Sequence, residues 1–254
     1  MTNAPIIKYP MTKNVVFVIM AAGEGKRMNS NVPKVLHEHD GVPMLVKIIR
    51  TTQELAPKKI IIITGRHYQL IQETCIKHLI SLVNFLFVRQ KQPLGTGDAI
   101  KSILGHCNKD EKIVILNGDM PLINVDILHR LVNLDGHMTL LAGNMSNPYG
   151  YGRVVLDGSG STNAILEIVE EKDCTEEQKK ITLVNAGVYS ISGELLLEYI
   201  PQITNNNTQK EYYLTDIVKI VKTKTNVDIN VCIVDESENK YIRGVNTQKE
   251  LEDL

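Results

Sequence analysis

No charge excess, no long apolar run and few cysteines mark this sequence of 254 residues. With 28 Lys+Arg against 29 Asp+Glu, it lacks the basic surplus that wraps nucleic acid or coats an anionic membrane, so a small-molecule partner fits better. No segment approaches the roughly 18 apolar residues needed to span a bilayer, which excludes a transmembrane helix and predicts a soluble protein. The four cysteines, Cys75, Cys107, Cys174 and Cys232, are far apart, without Cys-x-x-Cys spacing. That leaves no basis for a disulfide framework and points to reduced thiols in a cytoplasmic setting. The start of the chain has no apolar signal-like region; it is polar, contains Pro5 and Pro10, and reads as a loose extension over residues 1–13. No internal repeat, low-complexity linker or Gly-x-Ser-x-Gly elbow occurs, and the seven histidines form no metal-ligand pattern, so a serine or cysteine hydrolase has no support.

What is present is alternation. Asn14 to Met20 is a short, nearly continuous apolar run that ends in small residues and glycine, as a strand buried on both faces does. Lys59 to Thr64 and Lys112 to Leu116 repeat that texture, with Val83 to Val88 a weaker version between them. Helical spacing separates these runs at Pro43 to Leu55, Tyr68 to Leu79 and Gly97 to Leu104. The order predicts right-handed βαβ units and a parallel sheet. After about Pro121 the texture changes, with strand-like stretches at Met138 to Leu141, Arg153 to Leu156, Ala164 to Val169 and Val184 to Ile191. Helices are expected at Gly193 to Tyr199 and Tyr213 to Val221, then a strand at Asp228 to Val234 and a terminal helix from Asn246. We therefore expect one domain over 14–254, whose halves 14–122 and 123–254 share one sheet, with the site in the cleft between them.

Directly after the first strand comes Ala21-Ala22-Gly23-Glu24-Gly25-Lys26-Arg27-Met28, followed by Pro33-Lys34. Small residues and glycines let backbone N–H groups approach phosphate oxygens, and Arg27 and Lys34 add positive charge. An ordinary glycine loop with solvated basic residues would read the same way. The turn lacks the third glycine of a dinucleotide fingerprint and the Gly-Lys-Ser/Thr of a P-loop. It resembles instead the signature of sugar-nucleotide pyrophosphorylases. The resemblance continues, in order, through Leu94-Gly95-Thr96-Gly97, Asn117-Gly118-Asp119-Met120-Pro121-Leu122, Tyr149-Gly150-Tyr151-Gly152-Arg153, Ile168 to Asp173, Asn185-Ala186-Gly187 and Asn205-Asn206-Asn207. With Glu211 to Asp216 and Gly244-Val245-Asn246 it is most similar to N-acetylglucosamine-1-phosphate uridyltransferases and runs from Val15 to Leu254.

That resemblance implies an α/β fold of nucleotide-diphospho-sugar transferase type, a Rossmann-like three-layer sandwich around a mixed, largely parallel sheet. It implies Mg²⁺ as cofactor, with Asp119 and the amide oxygen of Asn246 as ligands. Taken alone, Asp119 could be a turn residue ahead of a helix near Val125, and Asn246 the N-cap of the terminal helix. Arg27 and Lys34 become the catalytic cations; Ala21, Ala22, Gly23, Gln90, Gly95 and Thr96 the nucleotide site; and Gly152, Glu170, Asn185 and Thr215 the sugar site. Gln90 carries both the donor and the acceptor that uracil requires, although a solvated loop glutamine reads identically. By themselves Glu170 would sit on a charged face and Asn185 at a strand edge or bulge, while Tyr212 and Tyr213 either line the pocket or pack.

The implied reaction joins UTP to N-acetylglucosamine 1-phosphate and releases pyrophosphate. A phosphate with a second pKa of about 6 is already anionic near neutrality, so its attack needs no base; bringing two polyanions together is the task. Three residues depart from the family pattern: Asn117 where an aromatic is frequent, Lys26 where threonine is usual, and Arg243 where glutamate is common. They leave open glucose 1-phosphate or another hexose phosphate as acceptor, dTTP or CTP as donor, and a silent sugar-nucleotide-binding regulator. Many bacterial members add an acetyltransferase domain of hexapeptide repeats; no such repeat occurs here and acetyl transfer is not expected. Oligomeric state is not legible, and a homo-oligomer stays open.

Overall fold

The structure, a computed structural model, describes residues 14–79, 81–159 and 165–254; the extension expected at 1–13 and Ala164 lie outside the described residues, and Lys26 is described by its backbone alone. The first half contains β1 (Val15–Ala21), a two-residue hairpin β2 (Glu38–His39) and β3 (Val42–Pro43), α1 (Met44–Gln53), β4 (Lys59–Thr64), α2 (Tyr68–His78), β5 (Phe85–Arg89), α3 (Thr96–Lys101), β6 (Lys112–Asn117) and α4 (Val125–Asn133). The second half continues with β7 (Met138–Asn144), β8 (Arg153–Leu156), β9 (Ile165–Val169), β10 (Leu183–Ser192), α5 (Gly193–Tyr199), α6 (Asp216–Lys224), β11 (Ile229–Val234) and α7 (Gln248–Glu252).

One sheet runs in the order β11-β7-β10-β6-β1-β4-β5, with β8 attached to β10 and β9 to β8. Strands β6, β1, β4 and β5 are mutually parallel, as are β7 and β11. Strand β10 runs against both of its neighbours, β6 and β7. It therefore seals the second half onto the first through main-chain hydrogen bonds, and the sheet is mixed but largely parallel.

Alternation along β1 explains the three layers. Val15, Phe17 and Ile19 face a core filled by Ile48 and Ile49 of α1, Ile71 of α2 and Leu128 and Leu131 of α4. Val16 and Val18 face the other core, with Ile100 of α3, Leu196 of α5 and Val218 of α6. Since neither face of the strand meets water, a continuous β-branched run is the sequence such a position requires, each buried side chain contributing about 1.5–3 kcal/mol. Among the described residues no helix is long and apolar enough to cross a membrane, and all four cysteines are unpaired.

Several boundaries differ from the sequence reading for local reasons. Val83 is 76 % exposed and β5 begins two residues later, beside Ile60 of β4. Pro43 is the N-cap of α1. The helix expected at Tyr213 starts at Asp216 because residues 211–215 are tied to the loop at 94–97, as described below. The hairpin β2/β3 carried no strand signal; two residues per arm are too few for one.

The joint between the halves also contains an ion pair whose acid is buried and whose lysine is exposed. Glu111, whose side chain is fully buried, receives Lys58 at 2.8 Å and the Asn108 N–H at 2.8 Å. Burial opposes ionisation of this carboxyl, but Lys58 and the Asn108 donors outweigh it and hold it below the usual glutamate range. A depressed carboxyl adds stability above its unfolded pKa and loses it as pH falls through the folded value. Glu111→Gln is therefore expected to cost about 2 kcal/mol at neutral pH by denaturant unfolding. The gap from the native chain should close as pH drops below about 4.5, the unfolded reference; a gap that stays constant with pH would contradict this.

Candidate active site

The carboxyl ends of β1 and β6 lie side by side, with Met20 opposite Asn117. The Gly118 N–H donates to the Met20 carbonyl at 2.9 Å, so the chain leaves β6 hard against β1. Asp119 follows at once, at the sheet edge where α/β proteins bind ligands. Here opens a cleft of about 530 Å³ lined by Arg27, Asp119, Asn246, Thr96, Gly152, Glu170, Asn185 and Thr215. These eight expected site residues come from segments scattered over the whole chain.

Four polar groups meet at its floor. The Lys34 ammonium donates to Asp119 and, at 3.2 Å, to the Oδ1 of Asn246; Arg27 Nη2 donates to the same oxygen at 2.8 Å. Asp119 and Lys34 side chains are only 18 % and 14 % exposed, so their attraction is screened less than at a surface. Backbone geometry holds them there. Gly25 has φ +60°, and a Cβ on it would lie 2.5 Å from the Lys34 Cβ; only glycine both adopts that turn and lets Lys34 close in. On the far side, the Val245 N–H donates to the Asp119 carbonyl at 2.9 Å.

Asp119 does lie in a turn after β6, but neither it nor Asn246 caps the helix that follows. Asn124, not Asp119, caps α4, its side chain accepting from the Ile127 N–H at 2.9 Å. Thr247, not Asn246, caps α7, accepting from Glu250 at 3.2 Å. The side chains of Asp119 and Asn246 are thus left to each other's neighbourhood. A carboxylate and an amide carbonyl are hard oxygen donors, and the fold already seats an ammonium between them. A divalent cation that keeps several waters fits this pair. Among the described residues no group of three or more His, Cys, Asp or Glu could hold a metal, so such an ion would complete its shell with water and substrate oxygens.

The sugar-side wall is a hydrogen-bonded chain. Thr215, 4 % exposed, donates to Glu170 Oε1 at 2.9 Å. Burial pushes the Glu170 carboxyl above the usual range, only partly offset by Thr215, and the nearby acids Asp216, Asp173 and Glu211 add to the rise. Asn185 donates to the Tyr189 hydroxyl at 2.7 Å and accepts from the Gly187 N–H at 3.0 Å. Strand β10 shifts register between Asn185 and Tyr189, and Gly187 has φ +72°. Asn185 is therefore a bulge residue that also faces the cleft, with both polar ends of its amide occupied. Opposite it, the loop Tyr149 to Gly152 is anchored by Arg153, a buried cation that reaches Glu171 at 2.7 Å, while Glu171 also accepts from the Gly150 N–H at 3.0 Å.

Of the expected nucleotide site, only Thr96 lines the cleft. Ala21 ends β1 and Ala22 and Gly23 follow it beside the cleft, becoming progressively more exposed. Gln90 is buried, and its Nε2 is spent on the Gly95 carbonyl at 3.2 Å and Asp98 at 2.8 Å; it braces the loop that starts α3. Gly95 and Thr96 are fastened to the segment 212–214. The Tyr212 N–H donates to Leu94 at 2.8 Å, the Gly97 N–H to Tyr212 at 2.7 Å, and the Leu214 N–H to Thr96 Oγ1 at 2.9 Å. Tyr212 and Tyr213 pack. Lys101 sits 4.0 Å over the Tyr212 ring, and the buried Tyr213 phenol accepts from Gln209 and is pushed up to about 12, chiefly by burial.

Sequence reasoning missed the parts played by Tyr149, Tyr151 and Arg153. Their motif was visible, but a buried arginine and a tyrosine left 78 % exposed are set by tertiary contacts alone. Of the three departures, Asn117 and Arg243 line the cleft, and the Lys26 side chain lies outside the described residues.

Comparison with known proteins agrees with this architecture. Residues 17–157 match the model of the MobA-like NTP transferase domain. A probable UDP-N-acetylglucosamine pyrophosphorylase of Acanthamoeba polyphaga mimivirus is 41 % identical over 250 residues, covering 96 % of each chain. The bifunctional protein GlmU of Francisella tularensis subsp. novicida is 39 % identical over 240 residues, covering 93 % of this chain; the chain spans about half the length of that relative, 50 %. A crystal structure of HddC from Yersinia pseudotuberculosis complexed with GMP-PN superposes with a TM-score of 0.65 at 18 % identity, over 94 % of this chain and 96 % of that one; at such identity it speaks for the fold. Sequence match, sheet order and a polar cleft at the strand ends agree: the chain belongs to the MobA-like NTP transferase family and is a nucleotidyltransferase.

Proposed function

We propose that the chain transfers the uridylyl group of UTP to N-acetylglucosamine 1-phosphate, with Mg²⁺ as cofactor, forming UDP-N-acetylglucosamine and pyrophosphate. The observation that carries this reading is the convergence of Arg27, Lys34, Asp119 and Asn246 on one cleft whose other wall offers Glu170, Thr215 and Asn185. The names of the relatives that match nearly the whole chain support the choice of base and sugar.

An oxygen of the sugar phosphate forms a bond to the α-phosphorus of UTP while the bond from that phosphorus to the bridging oxygen of the leaving pyrophosphate breaks. The nucleophile is anionic near neutral pH, so no side chain need remove a proton. The work left to the protein is to place two polyanions in line and to offset the charge that gathers on the leaving group. Arg27 and Lys34 supply fixed positive charge for that purpose, a positioned donor commonly being worth about 3 kcal/mol in activation free energy. A divalent cation held by Asp119 and Asn246 would add positive charge at the phosphate oxygens. Glu170 and Thr215 offer an acceptor and a hydroxyl to the sugar, and a Cβ on Gly152 would meet Ile168 at 2.9 Å and the Glu170 carboxylate at 3.6 Å, so glycine keeps that acceptor clear.

The test is a matrix of reactions: UTP, dTTP or CTP against N-acetylglucosamine 1-phosphate, glucose 1-phosphate and other hexose phosphates, with Mg²⁺, following pyrophosphate release. UTP with N-acetylglucosamine 1-phosphate is expected to give the highest kcat/KM. A higher value for another pair would replace the substrates; binding of UDP-N-acetylglucosamine with no turnover of any pair would replace the enzyme by a regulator.

A further inference from the structure

Arg243 opens the segment 243–246 that crosses the end of the sheet and delivers Asn246 to the cleft. The segment cannot drift. The Val245 N–H holds the Asp119 carbonyl, and a methyl group on Gly244 would meet Asp119 Oδ1 at 3.2 Å, so Arg243 is kept one residue from the Asp119 carboxylate. Its side chain is exposed to the cleft. Arg66, Arg130 and Arg153 each have a carboxylate partner, and Arg50 donates to a backbone carbonyl. Among the described residues Arg243 has no carboxylate ion pair; its side chain instead hydrogen-bonds the phenol of Tyr151 on the sugar-side wall. Arg27 and Lys34 stand on the segment after β1, and Arg243 approaches the same floor from the side of Tyr151 and Gly152.

An arginine without a carboxylate partner, in a cleft that handles phosphates, is a planar fork of donors matched to a phosphate's oxygens. We propose that Arg243 is a binding residue for the phosphate of the sugar 1-phosphate, distinct in its substrate from the two cations after β1, and that it sets affinity for that substrate rather than for the nucleoside triphosphate. This rests on the proposed reaction. A glutamate at this position would repel the same phosphate, so an arginine here makes the chain depend more on the charge of its acceptor substrate.

The experiment compares Arg243→Gln and Arg243→Lys with the unaltered chain. KM is measured separately for N-acetylglucosamine 1-phosphate and for UTP, and binding of N-acetylglucosamine 1-phosphate is titrated calorimetrically without nucleotide. Loss of one charge-assisted contact predicts that Arg243→Gln raises KM for the sugar phosphate, and weakens its titrated affinity, by about tenfold. KM for UTP should stay within about twofold, and Arg243→Lys should recover part of the loss, because it restores the charge but not the two-pronged donor. An unchanged sugar-phosphate KM, a rise confined to UTP, or equal impairment of the Gln and Lys variants would each overturn the proposal; the last would indicate that Arg243 only props Tyr151. If the unaltered chain turns over no substrate pair, the proposed reaction fails while the titration still decides the role of Arg243. Absence of any saturable sugar-phosphate binding to the unaltered chain would overturn both.

Discussion

Replacing Asp119 by alanine is expected to lower turnover by at least about a hundredfold, equivalent to about 2.7 kcal/mol in activation free energy. The carboxylate is the one acidic oxygen pair in contact with Lys34, and it is the harder and more strongly charged of the two donors offered to a divalent ion. Without it, Arg27 and Lys34 remain to hold the nucleotide, so the loss should fall on kcat more than on KM for UTP. The fold should survive. Asp119 contributes its backbone carbonyl to Val245, which alanine retains, and its side chain caps no helix. Pyrophosphate release across a range of Mg²⁺ concentrations, with thermal unfolding as a control, measures both effects. Near-normal turnover of a folded Asp119→Ala protein would remove this residue from the mechanism.

Arg27→Ala is expected to be comparably damaging, again by about a hundredfold or more. Its guanidinium is exposed, yet it is steered into the cleft by the Asn246 oxygen 2.8 Å away. In the proposed reaction it would answer charge on the triphosphate, and an interaction that strengthens as charge moves to the leaving group acts on kcat. Arg27→Lys should recover only part of the rate, because a point charge replaces a two-pronged donor. Steady-state kinetics of the two variants check this. Equal activity of the alanine variant and the unaltered chain would assign Arg27 to the surface.

The elements most legible in the sequence were those buried on both faces. Strands β1, β4 and β6 need apolar side chains at successive positions, so their runs announce themselves. The direction of β10 was not legible, since its pairing with β6 and β7 is written in no local pattern; only the mixed texture of the second half hinted at it. Helix α6 starts late because Thr96 takes up the Leu214 N–H, a contact across 118 residues that periodicity cannot register.

The site divides in the same way. Motifs in order identified Arg27, Lys34, Asp119 and Asn246, whereas the bonds joining them link residues 85 to 219 positions apart and required the fold. Asparagine and threonine are both good helix caps, so sequence alone left Asn246 open where the structure gives the cap to Thr247. Gln90 and Thr96 were expected at the base; their visible bonds brace the loop between the two halves, and we propose that they shape the base pocket through that loop.

The central claim is that Asp119 and Asn246 together hold a divalent ion at which the two substrates meet. Titration of Mn²⁺ into the protein in the presence of UDP-N-acetylglucosamine, followed by electron paramagnetic resonance, tests it without reliance on turnover. The account predicts one tight ion per chain and at least about tenfold weaker binding in both Asp119→Ala and Asn246→Ala, in line with the loss expected for a removed ligand or its close partner. Unchanged stoichiometry and affinity in both folded variants would contradict it.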